Sequence, residues 1–236
     1  MTTSRSSATL GKQKAGGFAT LYLALAYIVS MPFFLLVADS DSLTNAADKV
    51  ALFASHHWST HAMYLITYVI FGVVLSVSSL ALHERLKASA PFIMRVATAI
   101  GLMWAVVLVA SGTVFNAGMA AAVSLNQSDP AQAALLWQAV EPVADGLGGA
   151  GGELLGGLWV LLVSIAGLRS DKVAKPLGRL GLVLGIIGLV SVFPPLNEAA
   201  YGFGALQIIW FVWMGITMLR ASERRERGLV PEAAHS

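Results

Sequence analysis

Six long apolar stretches with almost no charge constrain the fold of this chain more than any other feature. An α-helix needs about 20 apolar residues to cross the hydrocarbon core of a bilayer, whereas barrel strands alternate apolar and polar residues over about 10 positions. The stretches are continuous, and they therefore predict an all-α polytopic membrane protein with six transmembrane helices. These helices are expected at residues 17–38, 62–82, 96–117, 146–168, 180–196 and 199–219.

The composition supports a membrane protein and excludes several kinds of chemistry. Only 12% of the 236 residues are charged and 56% are hydrophobic, whereas soluble domains carry about 25% charged residues. So few charges cannot cover a soluble surface. The chain contains no cysteine, which excludes disulfides, thiolate metal ligands and thiol catalysis.

The basic residues predict how the chain is oriented. All but Lys49 of the 15 lysines and arginines lie in four segments that six helices would bring to one face of the membrane. Because such residues favour the cytoplasmic side, we expect a multi-pass protein of the cell (inner) membrane with both termini cytoplasmic. The predicted parts are a cytoplasmic tail at residues 1–16, a six-helix transmembrane domain at 17–220 and a basic cytoplasmic tail at 221–236.

The connection between the third and fourth predicted helices, residues 118–145, is the longest. Pro130 opens a stretch that is able to form a surface helix over residues 131–144, and Pro142 is expected to end or kink that helix. Acidic residues are concentrated on this side of the membrane.

Two histidines on this acidic side suggest a metal site. His57 and His61 are four residues apart, so on a helix they share one face. A catalytic zinc site needs three protein ligands and a water, and Glu141 or Asp145 is expected at the same depth. A divalent metal ion is the one cofactor that this pattern suggests. In the alternative interpretation, the histidines lie at the membrane interface and form hydrogen bonds with water, lipid headgroups or neighbouring groups.

Polar residues at the same membrane level predict a pocket. Polar side chains within a span usually face the bundle interior or a wet cavity. A stripe of Tyr64, Tyr68, Gly72, Ser76, Ser79 and His83 follows one face of the second predicted helix, which we therefore expect to be buried. The predicted pocket residues are Tyr64, Asn116, Glu153 and Glu198.

Glycines at four-residue spacing predict close helix packing. Gly148, Gly152 and Gly156 form one such series, and Gly181 and Gly185 form another. The expected partners are the lipid bilayer and either a second copy of the chain or another membrane protein. The basic residues are not interleaved with aromatic residues, so we expect no nucleic-acid partner.

Three segments resemble a known family. They are the short basic loop at residues 81–101, the basic turn leading into a glycine-rich helix at 157–190, and a tryptophan-rich last helix that ends in Arg220. This layout resembles the domain-of-unknown-function family 4386, which comprises small multi-pass membrane proteins mostly from bacteria. The resemblance covers about residues 16–220 and implies no catalytic residues, because the family has no agreed biochemical role.

The sequence thus predicts a non-enzymatic membrane protein that binds a small molecule, lipid or protein partner at an outward-facing polar pocket. The first alternative is a metal-dependent membrane enzyme or redox protein that uses His57 and His61 with an outer carboxylate. The second is a small transporter that uses Glu153 and Glu198.

Overall fold

The computed structural model describes residues 2–148, 150–196 and 199–229. Within these ranges the chain is helical and contains no strand, which confirms the predicted all-α class. The elements are α1 (Thr2–Leu36), α2 (Ala46–Ser55), α3 (His57–Tyr64), a π-helical segment (Leu65–Ile70), α4 (Phe71–Leu86), α5 (Pro91–Asn126), α6 (Pro130–Gly148), α7 (Ala150–Leu168), α8 (Lys175–Val190), a 3-10 turn (Pro194–Leu196) and α9 (Ala199–Leu229).

Local signals explain where several helices begin. The Asn45 side chain accepts a hydrogen bond from the Ala47 amide at 3.0 Å and caps α2. Asp129 Oδ1 accepts one from the Gln132 amide at 3.0 Å, immediately before Pro130 starts α6. Short polar side chains satisfy amide groups that have no partner within the helix, and proline is tolerated in the first turn because it lacks that amide.

Six elements form a closed ring of neighbours in the order α1, α4, α5, α7, α8, α9, and α9 packs back on α1. Trp159, Trp210 and Phe211 are fully buried inside this ring. The ring centroids of Trp159 and Trp210 lie 5.8 Å apart, and those of Trp210 and Phe211 lie 5.7 Å apart. Because lipid tails are as apolar as these side chains, the ring is held by close packing rather than by the hydrophobic effect.

The two ends of the ring differ in composition. We call the end where α1 finishes at Leu36 and α3 begins at His57 the histidine end. The opposite end carries Arg85 in the last turn of α4, Arg95 in the first turns of α5 and Lys172 between α7 and α8, and we call it the basic end. The face of α4 predicted to be buried does point inward, because Gly72 and Ser79 are buried.

Five helical segments are long and apolar enough to cross a membrane: Gly11–Leu36, His57–Leu86, Pro91–Asn126, Pro130–Leu168 and Gly202–Arg224. The sixth predicted span, residues 180–196, corresponds to the end of α8 and the 3-10 turn. With 16 residues, α8 is about 24 Å long, which is shorter than the hydrocarbon core of about 30 Å. The chain therefore has the helices of a multi-pass membrane protein. In the ring, α4 and α8 each have 16 residues, but α4 directly continues the π-helical segment and α3, whereas α8 does not continue another helix.

Several helices extend beyond the predicted spans, α1 and α6 among them. The first begins at Thr2 rather than Gly17, because no proline interrupts residues 1–16. The second, α6, continues through Pro142 to Gly148 and packs along α5. Pro142 therefore does not end this helix, and the long connection predicted at residues 118–145 is mostly helical.

A second, smaller core lies at the histidine end, and we call it the cap. It is formed by α2, α3, the last turns of α5, and α6. Its buried residues include Phe53, whose ring centroid is 4.7 Å from that of Trp137. On α5 the exposed side chains between Phe92 and Val106 are apolar except for Arg95, but beyond Gly112 they are small or polar. A helix of 20 residues spans about 30 Å, the thickness of the hydrocarbon core. Counted from Phe92, this length ends near Gly112, and the cap lies beyond that point.

Candidate functional site

The two histidines of the predicted metal site lie on α3 in the cap. Their ring centroids are 6.4 Å apart, and the Trp58 ring lies 5.2 Å from that of His57. His57 Nε2 is buried and has no hydrogen-bond partner among the described residues. The described part of the chain holds no group of three or more His, Cys, Asp or Glu side chains arranged to bind a metal. The metal site therefore stays a prediction that metal analysis of the purified protein would test.

The two carboxylates predicted to complete that site have different surroundings. Glu141 Oε1 accepts a hydrogen bond from Lys49 Nζ at 2.8 Å, and both side chains are mostly buried, with 20% and 15% exposure. This ion pair ties α6 to α2. Asp145 lies one turn further along α6 and is exposed. Glu141 thus has a structural partner, since it neutralises the one lysine that lies outside the four basic segments.

Tyr64 and Asn116 belong to the core of the cap. The Tyr64 ring stacks on that of Phe115 with a centroid distance of 4.5 Å. Asn116 Nδ2 donates to the His61 carbonyl at 3.3 Å, and Asn116 Oδ1 is buried with no hydrogen-bond partner in the part of the chain that the structure describes. Neither residue lines the cavity described next. The structure therefore does not bring them together with Glu153, and Glu198 lies outside the described residues.

Glu153 lines a cavity that enters the ring from the histidine end. Its mouth chamber has a volume of about 570 Å³ and lies between α1, the π-helical segment, α7 and α9. A deep chamber of about 170 Å³ adjoins it and reaches the aromatic core of the ring. Both chambers share the residues Tyr27, Thr67, Tyr68, Glu153, Ala200 and Gly204.

Uneven packing of α1 and α9 leaves room for this cavity. At the basic end the two helices are in close contact, since a Cβ atom added to Gly17 would lie 3.3 Å from the Gly215 carbonyl oxygen. Toward the histidine end they separate. A Cβ atom on Gly204 would meet only Tyr27, at 3.8 Å from its Cε1 atom. The mouth chamber occupies the gap that results.

The π-helical segment supplies the second wall. A π-helix widens the backbone and is often found at functional sites. Its Ile66 carbonyl accepts a hydrogen bond from the Tyr22 hydroxyl at 3.1 Å. Thr67 and Tyr68 lie in this segment and line both chambers.

The polar groups of the cavity are few and incompletely paired. Ser191 Oγ donates to the Glu153 carboxylate at 3.1 Å. Thr67 Oγ1 and Trp104 Nε1 are buried and have no hydrogen-bond partner among the described residues. No lysine or arginine is among the described residues that line either chamber. Because a buried polar group without a partner costs about 1–3 kcal/mol, these groups are suited to a bound molecule or to water.

Sequence reasoning found Glu153 but missed most of its surroundings. A charge within an apolar stretch is a direct signal, and Tyr68 belonged to the predicted polar stripe. Tyr27, Thr67 and Trp104 gave no comparable signal, because aromatic residues and threonines are common in spans. Their role depends on the π-helical segment and on the separation of α1 from α9.

Comparison of the chain with protein-family models, curated proteins and solved structures finds no match. The resemblance to the domain-of-unknown-function family 4386 therefore stays a prediction. Functional inference has to rest on the cavity itself.

Proposed function

We propose that the protein crosses the cell (inner) membrane six times and has both termini in the cytoplasm. The geometry of α8 supports the sixth crossing. Gly181 of α8 faces Ser164 of α7 and Trp210 of α9, whereas Gly188 faces Gly157 and Phe203. The order of these contacts shows that α8 runs antiparallel to both neighbours through the same layers of the ring. The 3-10 turn adds about 6 Å to its length of about 24 Å. With six crossings the basic end faces the cytoplasm, in keeping with the positive-inside tendency.

We infer that this membrane protein binds a small molecule or lipid in the cavity at the histidine end. The observation that carries this proposal is the convergence, in a cavity with apolar walls, of one carboxylate and two polar groups that have no hydrogen-bond partner among the described residues. Ligand pockets typically measure about 300–1,000 Å³ and combine apolar walls with a few polar groups. The mouth chamber of about 570 Å³ falls within that range. A protein partner would need a broader surface than this cleft provides.

Binding is favoured over transport by what lies beneath the cavity. The fully buried side chains of Trp159, Trp210 and Phe211 fill the centre of the ring on the side toward the basic end. A transport route would require these packed aromatic residues to move apart. Binding is also favoured over catalysis, because the described lining holds a single carboxylate and no histidine, lysine or second carboxylate to pair with it in acid–base catalysis.

Two glycine substitutions on α9 test the proposal. Gly204→Leu would extend a side chain into the cavity, whereas Gly202→Leu would not, since Gly202 is exposed and a Cβ there meets no atom within 4 Å. Native mass spectrometry of protein released from membranes would detect retained lipids and small molecules. We expect a bound species in the wild type and in Gly202→Leu, and its loss in Gly204→Leu. Equal occupancy in all three proteins would contradict a ligand role for the cavity.

A further inference from the structure

We propose that the ligand is an amphiphilic organic cation, whose nitrogen lies at Glu153 and whose apolar body fills the mouth chamber. This inference rests on the proposed function, since it names the class of molecule that the same cavity takes. The shared chemistry is an ammonium group on an apolar chain. A free lipophilic amine could supply it, and so could the choline or ethanolamine headgroup of a lipid.

The charge of the cavity is the first support. The Glu153 carboxylate is half-buried, and its one hydrogen-bond donor among the described residues is the Ser191 hydroxyl. A buried carboxylate is costly unless an opposite charge compensates it. The described lining offers no lysine or arginine to do so. A cationic ligand would supply the missing charge.

Aromatic residues around the carboxylate are the second support. The deep chamber is lined by Tyr27, Tyr68, Phe71, Trp104 and Phe203 together with Glu153. The Tyr27 and Phe71 rings meet edge to face at 5.5 Å, and the Phe71 and Trp104 rings do so at 6.0 Å. Aromatic faces attract organic cations, most strongly where water is excluded. An aromatic wall beside an acid is the combination that recognises an ammonium group.

The unpartnered donors are the third support. Trp104 is only 2% exposed, and its Nε1 atom lies 3.5 Å from the position that a Cβ atom on Gly152 would take. The indole N–H therefore lies beside Gly152, the residue that precedes Glu153 in the chain. The indole N–H and the Thr67 hydroxyl could each donate a hydrogen bond to an oxygen atom of the ligand that lies close to its nitrogen. The mouth chamber adds Met31, Phe34 and Leu35 as an apolar wall for the rest of the molecule.

A pair of matched probes tests the charge requirement. One is (6-phenylhexyl)trimethylammonium, and the other is its neutral isostere with a tert-butyl group in place of trimethylammonium. Titration calorimetry in nanodiscs of zwitterionic lipid, with empty nanodiscs as the reference, gives both affinities. We expect the cation to bind wild-type protein at least about tenfold more tightly than the isostere. Glu153→Gln should greatly reduce that preference, leaving only the attraction of the aromatic wall, and should not change the affinity for the isostere.

Asp145→Asn is the matched control, because it removes one exposed carboxylate at the same end of the bundle and should leave both affinities unchanged. Equal binding of the two probes, or a cation affinity that Glu153→Gln does not change, would overturn the cation inference. If Gly204→Leu still abolished binding of the isostere, the proposed function would stand without the cation inference. If Gly204→Leu changed neither affinity, the proposed function would fail as well.

Native mass spectrometry of the same variants identifies the source of the ammonium group. Retention of a choline or ethanolamine lipid by the wild type, with its loss in Glu153→Gln, would assign the site to a lipid headgroup. Binding of the probe without any retained lipid would assign the site to a free amine. If the wild type neither retained a choline or ethanolamine lipid nor bound the probe, the proposal would be overturned.

Discussion

At the scale of single residues, the cap depends on an ion pair that the sequence did not reveal. Lys49→Met would leave the mostly buried Glu141 carboxylate without its partner, and we expect a loss of about 1–3 kcal/mol, between the values for surface and buried pairs. Lys87→Met is the control, since its pair with Glu84 is about half exposed and should contribute little. Denaturant unfolding in detergent would measure both. Equal effects would show that the cap does not depend on this pair.

Glycine contacts at single positions set how closely the helices approach. A Cβ atom on Gly185 would lie 2.8 Å from the Gly157 carbonyl oxygen and 2.7 Å from Leu161 Cβ. Gly185→Ala should therefore lower stability by about 1–3 kcal/mol, the usual cost of overpacking. At Gly146 nothing lies within 4 Å, so Gly146→Ala should be neutral or slightly stabilising because alanine favours helix. Thermal unfolding compares the two variants, and a lower melting temperature for Gly146→Ala alone would contradict this packing.

At the residue scale, the sequence gives its clearest signal where one side chain carries it alone. Glu153 stands out because a charge is rare in an apolar stretch, and the four-residue glycine spacing indicates close packing. The polar groups of Tyr64 and Asn116 also suggested a pocket, but both residues lie in the core of the cap. Their surroundings depend on α6, which folds along α5 instead of remaining a surface connection.

At the scale of whole elements, the sequence indicated where the apolar helices lie but not how far they extend. Hydropathy detects the part of a helix that meets lipid, so it placed the third span at residues 96–117. The helix itself, α5, runs over Pro91–Asn126 because its last turns pack against the cap. The π-helical segment was not predictable, since no residue type marks the change in hydrogen-bond register from α to π.

The crossing by α8 can be tested by labelling its two ends. The chain has no cysteine, so single substitutions need no background removal. Ala174→Cys precedes α8 and Leu196→Cys follows it, and both positions are exposed. In intact cells a membrane-impermeant maleimide should label Leu196→Cys alone, and Ala174→Cys should react only after permeabilisation. Labelling of both positions from the same side would show that α8 does not cross.

At the scale of the whole molecule, the two ends of the bundle have different properties. The basic end has charged loops that favour the cytoplasm. The histidine end has a helical cap and a cavity beside it. In the proposed topology of six crossings, the cavity would open away from the cytoplasm. The sequence predicted this polarity from the distribution of lysine and arginine, but the position of the cavity follows from the separation of α1 and α9.

The most direct test of an outward-opening cavity is the accessibility of Thr67, which lines both chambers. The measurement is the rate at which a small, membrane-impermeant thiol reagent modifies Thr67→Cys in intact cells. The geometry predicts modification from outside that slows about tenfold when Gly204→Leu fills the cavity and stays unchanged with Gly202→Leu. Modification only after permeabilisation, or a rate that Gly204→Leu does not alter, would contradict an outward-facing pocket at this site.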